Sequence, residues 1–308
     1  MVLNEFAPII SVSALMSIAT YLLTPNVARK LKSMNIVGID VHKAKRPKIA
    51  EMGGLALLPG ILVIFSTIYM LTLSPLVLLV AASTALFAAY GIADDMMKLG
   101  KYPKLVISLA VGALLVAFAG PPALIAVPLL LLIVGIGNTF NLFAGFNGLE
   151  MGCSASVAFF FSLVSFISGN MMAFYLSMGM FLVLMAFLLH NKYPAKVFPG
   201  NIGTFTVGGF FAGIALYTNM LYFLLPLLSL HIADALIKLA SSGYFSSSEK
   251  ARTRVNSRGV LVPRKDYLSL VRLVLKYKPM TERQLVTFFW TLSIAIGIAT
   301  VTAAGVLL

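Results

Sequence analysis

Two adjacent carboxylates, Asp94 and Asp95, end an otherwise apolar stretch in Tyr90-Gly-Ile-Ala-Asp-Asp-Met-Met-Lys-Leu-Gly100. Acids at the edge of an apolar run need a cation or a divalent metal beside them. A helix C-terminus favours cations and not anions, so the pair sits against the local dipole, and a snorkelling end paired with Lys98 or Lys101 is the weaker explanation. A second group is Asn138-Thr-Phe-Asn-Leu-Phe-Ala-Gly-Phe-Asn-Gly-Leu-Glu150. Asn138 and Asn141, three apart, share a helix face, while Gly145 and Gly148 permit a backbone reversal that exposes amide groups to a ligand. In a third stretch, Phe198-Pro-Gly-Asn-Ile-Gly-Thr-Phe205, a glycine turn feeds a helix N-terminus, whose free N–H groups and positive dipole end suit phosphate. The same residues are ordinary turn formers, and Thr204 also suits a helix N-cap.

Cations gather in two places. One is Val37-Gly-Ile-Asp-Val-His-Lys-Ala-Lys-Arg-Pro-Lys-Ile-Ala-Glu-Met-Gly-Gly54, which ends with Glu51 at the mouth of an apolar run. The other holds Lys250, Arg252, Arg254, Arg258, Arg264 and Lys265, where guanidinium forks match phosphate oxygens. Attraction to anionic lipid headgroups accounts for such loops equally well. His231, Asp234 and Lys238 follow helical spacing within an apolar run and are either functional or a structural ion pair. The inventory is carboxylates and amide oxygens for a hard metal, glycine turns for phosphate, and many cations. It contains no Ser/His/Asp set, P-loop lysine motif or cysteine cluster. Such a kit suits phosphoryl transfer, in which catalysis is mainly positioning and charge neutralisation.

The elements that carry these residues must be membrane spans. Of 308 residues, 60% are hydrophobic and 11% charged, which excludes an ordinary soluble domain. A net charge of +13 suggests nucleic acid, but the cations lie in short loops between apolar runs, so a membrane surface and an anionic substrate are the expected partners and nucleic acid is not. A helix needs about 20 apolar residues to cross the hydrocarbon. That window predicts an all-α polytopic membrane protein with about ten spans. They lie at roughly 7–24, 52–71, 75–93, 105–119, 122–138, 153–168, 172–190, 204–219, 221–240 and 284–306. The first is expected to be a retained span and not a signal peptide, since it lacks a basic leader and a small-residue cleavage site.

With that count the loops 25–51, 94–104, 139–152, 191–203 and 241–283 share one side. All 23 Lys and Arg residues fall there or one turn inside it, and the other side holds only Glu5. The positive-inside rule then puts these loops, and the active site, in the cytoplasm, with both termini outside. The chain reads as one domain, 1–308, with a basic cytoplasmic loop at 241–283. Cys153, the single cysteine, is expected to be a packing residue.

On these motifs the chain resembles the polyprenyl-phosphate N-acetylhexosamine-1-phosphate transferases, closest to their dolichyl-phosphate N-acetylglucosamine-phosphotransferase branch of archaeal and eukaryotic type. The matching residues run in family order: Asp40 to Gly54, Asp94-Asp95, Asn138 to Glu150, and Phe198-x-Gly200-x-x-Gly203-Thr204. Ala144 is similar to the dolichyl branch, where the bacterial branch has aspartate. The resemblance implies transfer of N-acetylhexosamine-1-phosphate, GlcNAc-1-phosphate above all, from a UDP-sugar to a polyprenyl or dolichyl phosphate. UMP is released, and Mg²⁺, or Mn²⁺ in its place, is the cofactor.

Carried over residue by residue, the resemblance makes Asp94 and Asp95 the essential acid pair and Lys104 a nearby lysine. Asn141 becomes a metal ligand, Gly145 and Asn147 uracil-binding positions, Phe198 a platform stacked on the base, and Glu51 and Glu150 acids near the nucleotide. Two positions depart from the pattern. Asn201 stands where the family's second metal ligand is usually aspartate, and the family's basic sugar-phosphate motif has Arg252 and Arg254 as its nearest substitutes. A homodimer is compatible with this reading, and the cell membrane is the expected location (the endoplasmic reticulum in a eukaryote). The competing reading is a transporter of nucleotide-sugars or other organic anions. It expects polar residues through the middle of several spans and two related halves, and neither is visible in the sequence.

Overall fold

A computed structural model describes residues 2–43, 45–242, 253–262 and 268–307. Among the described residues twelve α-helices carry the architecture. They are α1 (Val2–Ser33), α2 (Leu58–Thr72), α3 (Pro75–Met97), α4 (Lys101–Ala119), α5 (Ala123–Leu142) and α6 (Leu149–Ile167), then α7 (Met171–Asn191), α8 (Gly200–Tyr217), α9 (Leu221–Leu227), α10 (Ser229–Ser242), α11 (Leu270–Tyr277) and α12 (Glu282–Leu307). Two short antiparallel hairpins accompany them, β1 (Val37–Ile39) with β2 (Lys48–Ala50) and β3 (Arg254–Val255) with β4 (Leu261–Val262). The chain is a mostly helical, multi-pass membrane protein.

Among the described residues eight helices are long and apolar enough to cross a membrane, and a ninth span results if α9 and α10, bent by 68° at their junction, count as one. The remaining expected span, 204–219, is the helix α8, which stands outside that set. Its residues from Ile202 to Ala215 are all buried, and four glycines, Gly203, Gly208, Gly209 and Gly213, lie among them. A helix enclosed by protein meets no lipid, so it needs close packing more than apolar bulk.

That packing is backbone on backbone. A Cβ on Gly208 would stand 2.1 Å from the carbonyl oxygen of Gly137 on α5, and one on Gly54 would stand 2.3 Å from Cα of Gly203. Small residues let helices approach until their main chains touch, which in lipid replaces the missing hydrophobic drive between helices. Helix α8 therefore lies wedged between α3 and α5, with α6 against α5 and α8, α7 and α12 packed on α6, and α1 on α7. Aromatic side chains fill the remaining core. Phe140 and Phe211 stack with centroids 5.2 Å apart, and Phe65 lies against Phe210 at 6.2 Å.

Alternation of antiparallel helices brings one set of ends together: the C-termini of α3, α5 and α7 and the N-termini of α4, α6, α8 and α12. Segment Val197–Pro199 runs beside β2, with Phe198 N–H donating to the Ala50 carbonyl and Gly53 N–H to the Phe198 carbonyl. A second buried cluster, with Phe143, Leu149, Leu261, Leu275, Leu285 and Phe289, anchors β4 and α11 of the long basic loop at this end.

A substitution at the tightest approach tests the wedge. Gly208→Ala is expected to lower stability by about 1–3 kcal/mol, because neither main chain can give way. Gly135→Ala, on the same α5 but with nothing within 4 Å of its Cβ, is expected to change it by less than about 0.5 kcal/mol. Thermal unfolding of the detergent-purified protein reads both.

Candidate active site

The gathered helix ends enclose a cavity of about 230 Å³. Its walls include Asp40, His42, Glu51, Asn141, Gly145, Asn147, Glu150, Phe198 and Asn201. Seven of the residues singled out in the sequence thus line one space: Glu51, Asn141, Gly145, Asn147, Glu150, Phe198 and Asn201.

Asp95 joins them through α8. Its Oδ1 accepts the N–H of Asn201 and its Oδ2 that of Ile202, both at 2.9 Å. Gly200, at φ 68°, makes this contact, since a Cβ there would fall 2.7 Å from Asp95 Oδ2. The apparent misplacement of an acid at the end of α3 is thereby resolved, because the acid faces the positive N-terminus of a neighbouring helix. The sequence reading expected these N–H groups to be open to a phosphate. They are taken by the protein's own carboxylate instead. From Asn201 the chain of bonds continues, Asn141 Nδ2 donating to Asn201 Oδ1 at 2.9 Å. The paired acids and the asparagine cluster thus share one end of the bundle and are linked through a single residue.

Asp94 has a different setting. It is buried, and its ion pair is with Lys104 of α4 at 2.7 Å, not with Lys98 or Lys101. The long lysine stem brings a partly exposed ammonium to a carboxylate that has left water.

Asn147 is held by both ends of the chain. Its backbone N–H donates to Glu282 Oε1 of α12 and its Nδ2 to Asp40 Oδ2 of the β1–β2 loop, each at 2.9 Å. Lys43 pairs with both acids, at 3.3 Å from Asp40 and in a closer contact with Glu282, and lies 4.0 Å over the Tyr193 ring. His42 stacks on Phe146 with centroids 4.4 Å apart. Asp40, His42 and Glu282 also stand close enough to hold a cation, but the Lys43 ammonium already bridges the two carboxylates. Positive φ at Gly145 (135°) and Gly148 (81°) makes the expected reversal ahead of α6, and Trp290 Nε1 closes it with a bond to the Gly148 carbonyl. Glu150, in the first turn of α6, is buried in the cavity wall.

Other expectations resolve into scaffolding. Asn138 donates to Ser108 Oγ at 2.6 Å and so pins α5 to α4. Asp234 pairs with Lys238 at 2.7 Å and accepts the N–H of Leu270, the first residue of α11. Lys238 also donates to the carbonyl of Leu142, the last residue of α5. Each end of this pair thus caps a helix, and the pair ties the basic loop to the bundle. Arg254 is exposed on β3 and outside the cavity wall, and Arg252 lies outside the described residues. Cys153 is buried and free, as a packing residue should be.

The sequence reading did not single out Lys43 or Glu282. A signal for Glu282 was present: Thr281 and Gln284 form a capping box, with Thr281 N–H on Gln284 Oε1 at 3.0 Å and Gln284 N–H on Thr281 Oγ1 at 3.4 Å. The box starts α12 two residues before the expected 284 and brings Glu282 into the first turn.

Comparison with known proteins supports what the geometry suggests. The family described as glycosyl transferase family 4 matches residues 77–219, which span α3 to α8. A protein of Methanocaldococcus jannaschii named as a glycosyltransferase is 35% identical over 267 residues, covering 85% of each chain. One of Saccharolobus solfataricus, named as a UDP-N-acetylglucosamine–dolichyl-phosphate N-acetylglucosaminephosphotransferase, is 27% identical over 299 residues, or 88% of this chain and 89% of its own. A phospho-N-acetylmuramoyl-pentapeptide-transferase of Prochlorococcus marinus is 29% identical over 171 residues, 54% of this chain and 46% of its own. With an archaeal relative this similar along most of its length, and residues of the stretches 138–150 and 198–204 lining one cavity to which Asp95 is bonded, the chain belongs to glycosyl transferase family 4.

Proposed function

We propose that this protein transfers N-acetylhexosamine-1-phosphate, most simply GlcNAc-1-phosphate, from a UDP-sugar to a polyprenyl or dolichyl phosphate, releasing UMP. The whole chain, 1–308, acts as one transmembrane transferase domain, and the reaction is a first membrane step of glycan assembly. The observation that carries this reading is the continuous link from Asp95 through Asn201 to Asn141, beside a cavity that Phe198, Gly145 and Asn147 also line. The names of the relatives from Saccharolobus solfataricus and Prochlorococcus marinus support it.

In this reading the base stacks on Phe198, half-buried in the wall. Asn147 meets the base edge, and Glu51 and Glu150 lie along the nucleotide. An oxygen of the lipid phosphate attacks the sugar-bearing phosphorus. As the new P–O bond forms, the bond from that phosphorus to the bridging oxygen breaks, and the electron pair leaves with UMP. A phosphate monoester has a second pKa of about 6, so the acceptor is largely dianionic near neutral pH. Asp94, on its ion pair with Lys104, orients that acceptor and takes the proton that remains on part of the population. The acceptor's hydrocarbon tail stays in lipid, which is why the site belongs at a membrane boundary.

Amide and carboxylate oxygens are hard donors, and the Asn141–Asn201 pair beside Asp95 fits a small hard cation such as Mg²⁺, with Mn²⁺ the alternative. When bound there, the ion would neutralise charge on the diphosphate. We assign the site to the cytoplasmic face of the cell membrane, with both termini outside, because the positive loops sort to that end.

Transfer is measured as radiolabelled GlcNAc-phosphate passing into lipid, with UMP as coproduct. UMP release is expected to require both the polyprenyl phosphate and a divalent cation, and its appearance without lipid acceptor would remove the assignment. Asp94→Asn is expected to reduce turnover by about 10²–10⁴-fold with UDP binding retained, as for loss of an acid–base and orienting group. Phe198→Ala is expected to raise KM for the UDP-sugar by roughly 10- to 100-fold, the loss of one base-stacking platform.

A further inference from the structure

Asn147 has two kinds of N–H group, and both are bound by buried acids. Its backbone N–H meets Glu282 and its side-chain Nδ2 meets Asp40. A carboxylate offers only acceptors, so the amide must turn its nitrogen to Asp40 and cannot turn its oxygen there. Asp40 is kept in this role by Lys43, 3.3 Å away, and by the backbone N–H of His42, which donates to its other oxygen at 3.2 Å. The side-chain amide therefore has a fixed orientation. Asn147 also lines the cavity, and its Oδ1 takes no hydrogen bond from the described residues. One Nδ2 hydrogen is taken by Asp40, and Oδ1 is left as the acceptor that Asn147 offers.

We propose that Asp40 is a positioning residue that sets the base selectivity of the site, by holding the Asn147 amide so that only its oxygen faces the base. This inference rests on the nucleotide reading given above and goes one step further, to the residue that makes the choice. Uracil carries an N–H at N3 and donates to such an oxygen. Cytosine has a bare acceptor at the same position, so two lone pairs would face each other, and a buried acceptor left without a donor is strongly disfavoured. With an amide free to rotate, Asn147 would serve both bases, presenting Nδ2 to one and Oδ1 to the other. The acid behind it removes that freedom. The selection acts through Asp40 although Asp40 itself needs no contact with the base.

Competition binding of UDP and CDP to the full-length protein in detergent tests this. The unaltered protein is expected to prefer UDP by about 10- to 100-fold, the worth of a good hydrogen-bond match against a mismatch. In D40N the neutral amide at position 40 can either donate or accept, so the preference is expected to fall to within about threefold, mainly because CDP binds more tightly. The exchange variant D40N/N147D keeps the net charge and the bond between the two positions and again turns an acceptor to the cavity. It is expected to restore the preference for UDP, and it serves as the decisive variant if D40N alone does not fold. A merely structural role for Asp40 would weaken both nucleotides equally in D40N, and that result overturns the proposal. So does an exchange variant that binds UDP but remains unselective. An unaltered protein that binds UDP and CDP equally refutes the selectivity while the nucleotide site stands. Binding of neither nucleotide refutes both.

Discussion

Both oxygens of Asp95 are bonded to the first turn of α8, and the geometry of the site follows from that link. Helix α8 is buried from Ile202 to Ala215, and the N–H groups of its first turn have no partner within the helix. A carboxylate from α3 satisfies two of them and meets the positive end of the dipole at the same time. The arrangement fixes Asn201, and through Asn201 it fixes Asn141. A charge that looks expensive on its own helix is therefore well placed on its neighbour's. The glycines of α8 serve the same end, since they allow the close approach to α3 and α5 that brings Asp95 within bonding distance.

The two adjacent acids have separate surroundings. Asp95 is bound by backbone N–H groups and is part of the scaffold as well as the site. Asp94 is paired with a long lysine side chain that reaches it from α4. Polar groups buried at a lipid boundary need partners, and several of those at this end of the bundle have them. Asn138 has Ser108, Asp234 has Lys238, and Asp40 and Glu282 share Lys43.

Much of this was legible in the residues. The segregation of lysine and arginine gave the alternation of helices, and hence the end at which the motifs had to meet, because positive charge is sorted by side during insertion. The glycines at 145 and 148 gave the turn before α6. What sequence could not give was pairing at a distance. Asp95 and Asn201 are separated by 106 positions, and nothing local in either segment names the other. Lys104 was found as a motif residue, but its partnership with Asp94 depends on how α4 turns back on α3. The β1–β2 hairpin is only three residues per strand, too short for alternation to register. Glu282 was overlooked because the apolar window begins just after it, although the Thr281–Gln284 box marked the true start of the helix.

Glu282 lies 135 positions after Asn147 and 239 after Lys43, on α12. A nascent polypeptide that has inserted α1 to α8 already carries the acid pair, Asn141, Asn147, Phe198 and Asn201. It does not yet carry the carboxylate that holds Asn147 from behind and shares Lys43 with Asp40. Synthesis must reach α12 before the loop around Asn147 is braced on both sides. A product interrupted before α12 would sit in the bilayer with that loop unsupported on one side, so insertion of α12 is itself a condition for the finished cavity wall.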